Sequence, residues 1–264
     1  MCKLRFVLGA ERRLPMIEFV NVVKKYPNGT VAINELSFSV EDGEVVFIHG
    51  KTDSGKTTLR KLMLLEEKVT SGDIYFDEIP LSNIRIRNIY RHRRKIGVVF
   101  RESRLFVHKT LYDNMLFVLR AVDYRGKALK DRARKLLEFA GLWDARKTYP
   151  EMLTPTERQR AEIARALATD PKIIIADEPT ASLDTKGGLE ILGMLMKLNA
   201  EGKTVIIFTK DEELSQQFGK RMITLDFGEM VSDLPEIQES TDNSVNISEN
   251  ISEKIPEENI GNDQ

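Results

Sequence analysis

Two short stretches of the chain carry residue types whose spacing suits chemistry on a phosphate. The first, Gly50-Lys-Thr-Asp-Ser-Gly-Lys-Thr57, fits the pattern G-x-x-x-x-G-K-[ST]. In such a loop, backbone N–H groups and the N-terminus of the following helix face the α- and β-phosphates. Lys56 reaches the β/γ oxygens, and the Thr57 hydroxyl is a ligand for Mg²⁺. Gly50 and Gly55 are expected to supply backbone angles that other residues resist. The second stretch, Lys172-Ile-Ile-Ile-Ala-Asp-Glu178, is an apolar run that ends in two adjacent acids. Following a phosphate loop, it reads as the strand that handles the metal. Asp177 would hold the ion directly or through water, and Glu178 would orient or deprotonate an attacking water.

The elements needed to position these residues are legible around them. Glu44-Val-Val-Phe-Ile-His49 is apolar enough for a buried strand, and Thr58 to Leu65 repeats apolar residues at helical spacing. Ahead of them, Ile17–Val23 and Leu36–Val40 read as strands across the turn-like Pro27-Asn-Gly29. These two and the strand feeding the loop form an expected antiparallel start. Ile74–Phe76 reads as a short strand, and Ile96-Gly-Val-Val-Phe100 as a buried one. Leu111–Ala121 and Lys127–Ala140 have helical apolar spacing and suggest an inserted helical lobe over about 105–165. Then strands and helices alternate: Glu157–Ala168 helix, Pro171–Asp177 strand, Gly188–Ala200 helix, Thr204–Thr209 strand. Such alternation predicts an α/β fold with a parallel sheet and ligand at the carboxyl ends of its strands.

Whole-chain properties set the context. The 264 residues are 41% hydrophobic, enough for a large core, and no run approaches the eighteen or so apolar residues of a membrane span. The apolar part of Met1–Ala10 is short for a signal peptide, and the single cysteine, Cys2, fits a reducing compartment. A soluble, cytoplasmic chain is the expectation. Net charge is −1, but residues 233–264 hold nine acids against Lys254, a balance of −8 that leaves +7 on residues 1–232. The acidic, Asn/Ser-rich stretch 232–264 reads as a disordered tail and residues 1–15 as a peripheral extension, leaving 16–231 as the folded body.

Between the two chemical stretches lies Leu153-Thr-Pro-Thr-Glu-Arg-Gln-Arg160, and after the acids comes Pro179-Thr-Ala-Ser-Leu-Asp184. In order and spacing (phosphate loop, signature helix, acidic strand, Ser182-Leu-Asp184 loop) the chain resembles the nucleotide-binding subunits of ABC transporters over roughly residues 16–231. Arg93-Arg-Lys-Ile-Gly-Val-Val-Phe100 and Thr110-Leu-Tyr-Asp-Asn114 are most similar to the FtsE branch, the ATPase partners of the membrane protein FtsX in bacterial cell division. ATPases of lipoprotein release and macrolide export are the nearby alternatives.

The resemblance implies a P-loop NTPase core with an N-terminal antiparallel β-subdomain and the helical lobe. It implies ATP and Mg²⁺ as cofactors and an ATP-binding set of Tyr26, stacked on adenine, with Gly50, Lys51, Thr52, Asp53, Ser54, Gly55, Lys56, Thr57 and Thr58. Thr57 and Asp177 would hold the metal, with Glu178 as the catalytic carboxylate. It implies a head-to-tail homodimer with ATP between one copy's phosphate loop and the other's signature helix. An FtsX-like integral membrane permease would be the partner and the cytoplasmic face of the inner membrane the address, with no nucleic-acid partner. The arginine-rich stretch 85–104 lies near the expected permease surface and suits anionic lipid headgroups or an acidic coupling helix, and equally a solvated basic face.

Four positions depart from the family pattern. Asp53 stands where a Gly is usual: directed outward it costs little, directed at the phosphates roughly 4 kcal/mol at an effective dielectric near 20. Arg101 replaces a Gln whose carbonyl oxygen serves Mg²⁺, and Arg has no acceptor. Thr154-Pro155-Thr156 replaces Ser-Gly-Gly, so a hydroxyl survives, but Pro155 has no N–H to offer the opposing γ-phosphate and Thr156 adds bulk. Lys210 replaces a His and cannot accept a hydrogen bond from water. Losing one preorganised donor typically costs roughly 10² to 10³ in rate. ATP binding is therefore expected more firmly than hydrolysis, and a non-catalytic nucleotide-binding adaptor is the rival reading.

Overall fold

Strand β1 (Pro15–Lys25) buries Met16, Ile17 and Phe19, then shifts phase at Asn21, whose φ of 46° makes a bulge, and buries Val22 and Lys24. It pairs antiparallel with β2 (Val31–Glu41). Strand β3 (Val45–His49) follows, then helix α1 (Lys56–Met63), β4 (Ser71–Phe76) and the two-residue β5 (Ile79–Pro80). The antiparallel sheet has the order β2-β1-β4-β5. The short helix α2 (Ile89–Arg93) leads into β6 (Ile96–Val99). Helices α3 (Leu111–Ala121), α4 (Gly126–Phe139) and α5 (Pro155–Ala166) precede β7 (Ile173–Asp177), α6 (Thr185–Ala200), β8 (Thr204–Thr209), α7 (Glu212–Gln217), β9 (Arg221–Asp226) and β10 (Glu229–Leu234). This architecture is that of a computed structural model, which describes residues 15–236.

The second sheet has the order β10-β9-β3-β8-β7-β6, parallel from β9 through β6 with β10 antiparallel at the edge. Buried on both faces, its strands divide their side chains between two cores, as a pleat of period two requires. Val46, Ile48, Ile173, Ile175, Ile206 and Phe208 pack with α1 and the antiparallel sheet. Val45, Phe47, Ile174, Ala176, Val205 and Ile207 pack with α3 to α6. The helical segment thus shares a core with the parallel sheet.

Three sequence expectations change. Strand β3 belongs to the centre of the parallel sheet, not to the antiparallel start: all five residues pair in register with β8, which only a crossover connection could bring there. Helices α5 and α6 begin two and three residues earlier than their apolar spacing suggests, because Thr154 and Asp184 cap them. Strand β10 runs to Leu234, three residues into the expected tail, since Asp233 there takes a bidentate ion pair from Arg221 at 2.8 and 2.6 Å. The rest of that tail, 237–264, and residues 1–14 of the expected extension lie outside the described residues. Among the described residues, no helix is long and apolar enough to cross a membrane.

Candidate functional site

The loop between β3 and α1 ends in Gly55, the N-cap of α1, at φ 101°. A Cβ there would sit 2.6 Å from the Ala32 carbonyl oxygen, so both conformation and space demand glycine. Gly50 is different from the expectation: its φ is not in the left-handed region, and glycine is required because a Cβ would lie 2.6 Å from the Leu225 carbonyl oxygen and 2.4 Å from Ser54 Oγ. Asp53, at φ 63°, occupies the left-handed conformation itself, which explains a preference for glycine there, and its side chain is exposed. No side chain caps α1 and its first turn holds no acid, so the positive end of its dipole faces the cavity uncompensated.

Lys56 is buried and turned into its own loop, donating to the Gly50 carbonyl, to the Lys51 carbonyl at 2.8 Å and to Ser54 Oγ at 3.3 Å. Burial pulls its ammonium below the usual lysine range; Glu178 raises it again and Lys210 adds to the lowering. Asp177 ends β7 and Glu178 follows at φ 49°, its N–H held by the Phe208 carbonyl at 2.9 Å. Glu178 Oε2 accepts the Lys210 N–H at 3.3 Å, while Oε1 is buried and has no hydrogen-bond partner among the described residues. A buried, unpartnered carboxylate oxygen is an acceptor waiting for a donor. Lys210 crosses to the phosphate loop, where its Nζ donates to Thr52 Oγ1 at 3.1 Å.

A cavity of about 570 Å³ joins these groups. Its walls include Tyr26, residues 51–58, Arg101, Asp177, Glu178 and Lys210. Tyr26 is half-buried, its hydroxyl 3.3 Å from Thr58 Oγ1 and its ring covered by Lys24 Nζ at 4.9 Å. Thr154, Pro155 and Thr156 are not part of it. They open α5, and Pro155 borders a second cavity of about 380 Å³ with Gln159 and Ser182, which shares only Arg101 and Glu178 with the first. Thr154 forms a capping box: its Oγ1 accepts the Glu157 N–H at 3.2 Å, and Glu157 Oε2 accepts the Thr154 N–H at 2.9 Å. These bonds hold the Glu157 carboxyl below the usual range, with the Thr154 backbone N–H the largest cause. The bulk of Thr156 is taken up within the chain, its Oγ1 lying where a Cβ on Gly187 would reach 2.5 Å.

Three functional features escaped sequence reading. Arg60, one turn beyond Lys56, is 6% exposed and places Nε 3.0 Å from Asp177 Oδ2. The signal was present as a charge within the apolar series Leu59 to Met63. Phe227, 79% exposed at φ 43° in the β9–β10 turn, also lines the main cavity. Glu162 is fully buried in α5 and accepts from Ser103 Oγ at 2.8 Å and from Arg165, tying the segment after Arg101 to that helix.

The residues present fit a nucleotide triphosphate better than they fit a divalent ion. Thr57 lines the cavity, but Asp177 is already ion-paired and position 101 offers no acceptor oxygen.

Residues 33–181 match the family model described as ABC transporter. The chain is 35% identical over 218 residues to the cell division ATP-binding protein FtsE of Bacillus subtilis, an alignment covering 83% of this chain and 96% of that protein. It is 34% identical over 222 residues to the methionine import ATP-binding protein MetN 2 of Bacillus cereus, covering 83% of this chain and 66% of that one. Among solved structures, the dimeric ATP-binding cassette MJ0796 bound to ADP and Pi superimposes with a TM-score of 0.76 at 34% identity, over 84% of this chain and all of that one.

Proposed function

The chain belongs to the ABC transporter family, as an ATP-binding cassette, and from that premise we propose that it is an FtsE-like subunit that binds ATP in the 570 Å³ cavity and turns it over slowly. The observation that carries this reading is the convergence of Lys56, Thr57, Asp177, Glu178 and Lys210 on that cavity beside an uncapped helix N-terminus. Phosphate oxygens would replace the loop carbonyls as partners of Lys56. Lys210 would hold the γ-phosphate as a point charge from above Thr52. Glu178, with one free buried oxygen, would take the proton of the attacking water.

Slow turnover follows from the departures. Arg101 and Lys210 bring charge but no acceptor, and the start of α5 spends Thr154 on its own cap. The subunit would act as a homodimer at the cytoplasmic face of the inner membrane, with an FtsX-like permease, in cell division or envelope remodelling; dimeric cassettes and FtsE relatives support this assignment. The methionine-import relatives support a permease of another type as the alternative.

The same departures favour a second reading, a nucleotide-binding adaptor that consumes no ATP. Phosphate release by the wild type, Lys56→Ala and Glu178→Gln separates the two: a slow ATPase exceeds both variants, whereas an adaptor gives the same background in all three. Restoring the family pattern with Arg101→Gln, Thr154→Ser, Pro155→Gly, Thr156→Gly and Lys210→His together is expected to raise the rate. A restored protein no faster than its parent would refute the account of these positions.

A further inference from the structure

Arg60 is a buried cation directed at the carboxylate that the family pattern reserves for a metal. It sits on α1 four residues after Lys56, hence on the same face. Its Nε lies 3.0 Å from Asp177 Oδ2, and Nη1 is 3.5 Å from Glu66 Oε2. The guanidinium also packs 5.3 Å from the Phe100 ring centre, a ring that Arg104 covers at 3.5 Å. The side chains of Arg60 and Asp177 are only 7% and 18% exposed. A guanidinium so placed is tolerated only with a charge partner, and removing either member would strand the other. Nε is close to the carboxylate but not aligned for a hydrogen bond, so the contact is Coulombic and leaves Asp177 in place rather than clamped.

The charge balance of the cavity points the same way. Its walls carry Lys51, Lys56, Arg101 and Lys210 against Asp53, Asp177 and Glu178. With Arg60 set against Asp177 from beneath and also reaching Glu66, four cations face three carboxylates, one of them already paired. That surplus suits a polyanion arriving without a counter-ion of its own.

We propose that Arg60 is a built-in counter-cation at Asp177, so that this site takes metal-free nucleoside triphosphate and needs no divalent ion for binding. The proposal rests on the reading of the cavity as an ATP site. It is tested with the full-length protein by titrating ATP calorimetrically in Mg²⁺ and again in EDTA. Wild-type affinity is expected to change by less than about threefold between the two conditions; a larger loss in EDTA overturns the proposal.

Arg60→Leu, which removes the cation and frees Asp177, is expected to lose about tenfold or more in EDTA and to recover in Mg²⁺. Indifference to Mg²⁺ in that variant overturns the proposal. Should Arg60→Leu fail to fold, Asp177→Asn serves: affinity in Mg²⁺ equal to that of the wild type supports the proposal, and a tenfold loss confined to Mg²⁺ overturns it. Absence of ATP binding by the wild type in both conditions is a different result, which removes the ATP site itself and the proposal with it.

Discussion

Helices α1 and α5 both begin at the edge of a cavity, one after the phosphate loop and the other at the altered Thr154-Pro155-Thr156, yet their N-termini are finished in opposite ways. At α1 the cap is a glycine with no side chain to donate or accept, and no acid sits in the first turn. At α5 the cap is Thr154, reciprocally bonded to Glu157, with Pro155 in the first turn. One terminus leaves its dipole and N–H groups open to an outside anion, and the other closes on itself, the Thr154 hydroxyl accepting the Glu157 N–H and the Glu157 carboxylate accepting the Thr154 N–H. A helix start is therefore an anion site only where the chain has declined to cap it. In a head-to-tail dimer this makes the two halves of each proposed nucleotide site unequal, with a receptive phosphate loop facing a self-satisfied signature helix.

That asymmetry can be broken most sharply at Lys56. Lys56→Ala is expected to weaken ATP binding about 10- to 100-fold, the worth of a charged hydrogen-bonding contact, as read by calorimetry; unchanged affinity would mean that the open terminus is not the binding end. Gly55→Ala forces a left-handed alanine against the Ala32 carbonyl oxygen and should lower stability by about 1–3 kcal/mol in urea titration.

At the other helix, Thr154→Ala should cost about 1 kcal/mol of stability and leave ATP affinity of the monomer untouched. Loss of affinity there would erase the distinction between the termini. The smallest effect is one of pH. Because the folded-state pKa of Glu157 is depressed, its contribution is complete above the unfolded value, about 4.3, and disappears as pH falls through the folded value. The urea midpoint of the wild type should therefore drop more than that of Glu157→Gln when pH is lowered through that window; parallel profiles would show that the capping box carries no net stability.

Much of this comparison was legible in the chain itself. Strands β3, β7 and β8 announce themselves as short apolar runs, and α3 begins and ends where its apolar spacing says. The convergence of Lys56, Thr57, Asp177 and Glu178 on one cavity follows the motif spacing. Less legible were places where a contact across the fold overrides a local signal. Strand β10 extends into the expected tail because Arg221 reaches Asp233, and Glu162, a charge within the helical stretch Glu157–Ala168, is fully buried beneath the segment after Arg101.

By itself the sequence determined the chemistry on offer: a phosphate loop, a strand-end pair of acids, and four positions where the family pattern is altered. Those are statements about residue types at fixed spacing, and covalent order preserves them. Only the tertiary structure decided how the groups are spent. Arg60 and Asp177 are 117 positions apart and meet because α1 and the strand that ends in Asp177 share one core; Lys210 meets Thr52 because β8 lies beside β3. Which charge neutralises which depends on distances of a few ångströms in a medium of low dielectric, and spacing along the chain does not set those distances.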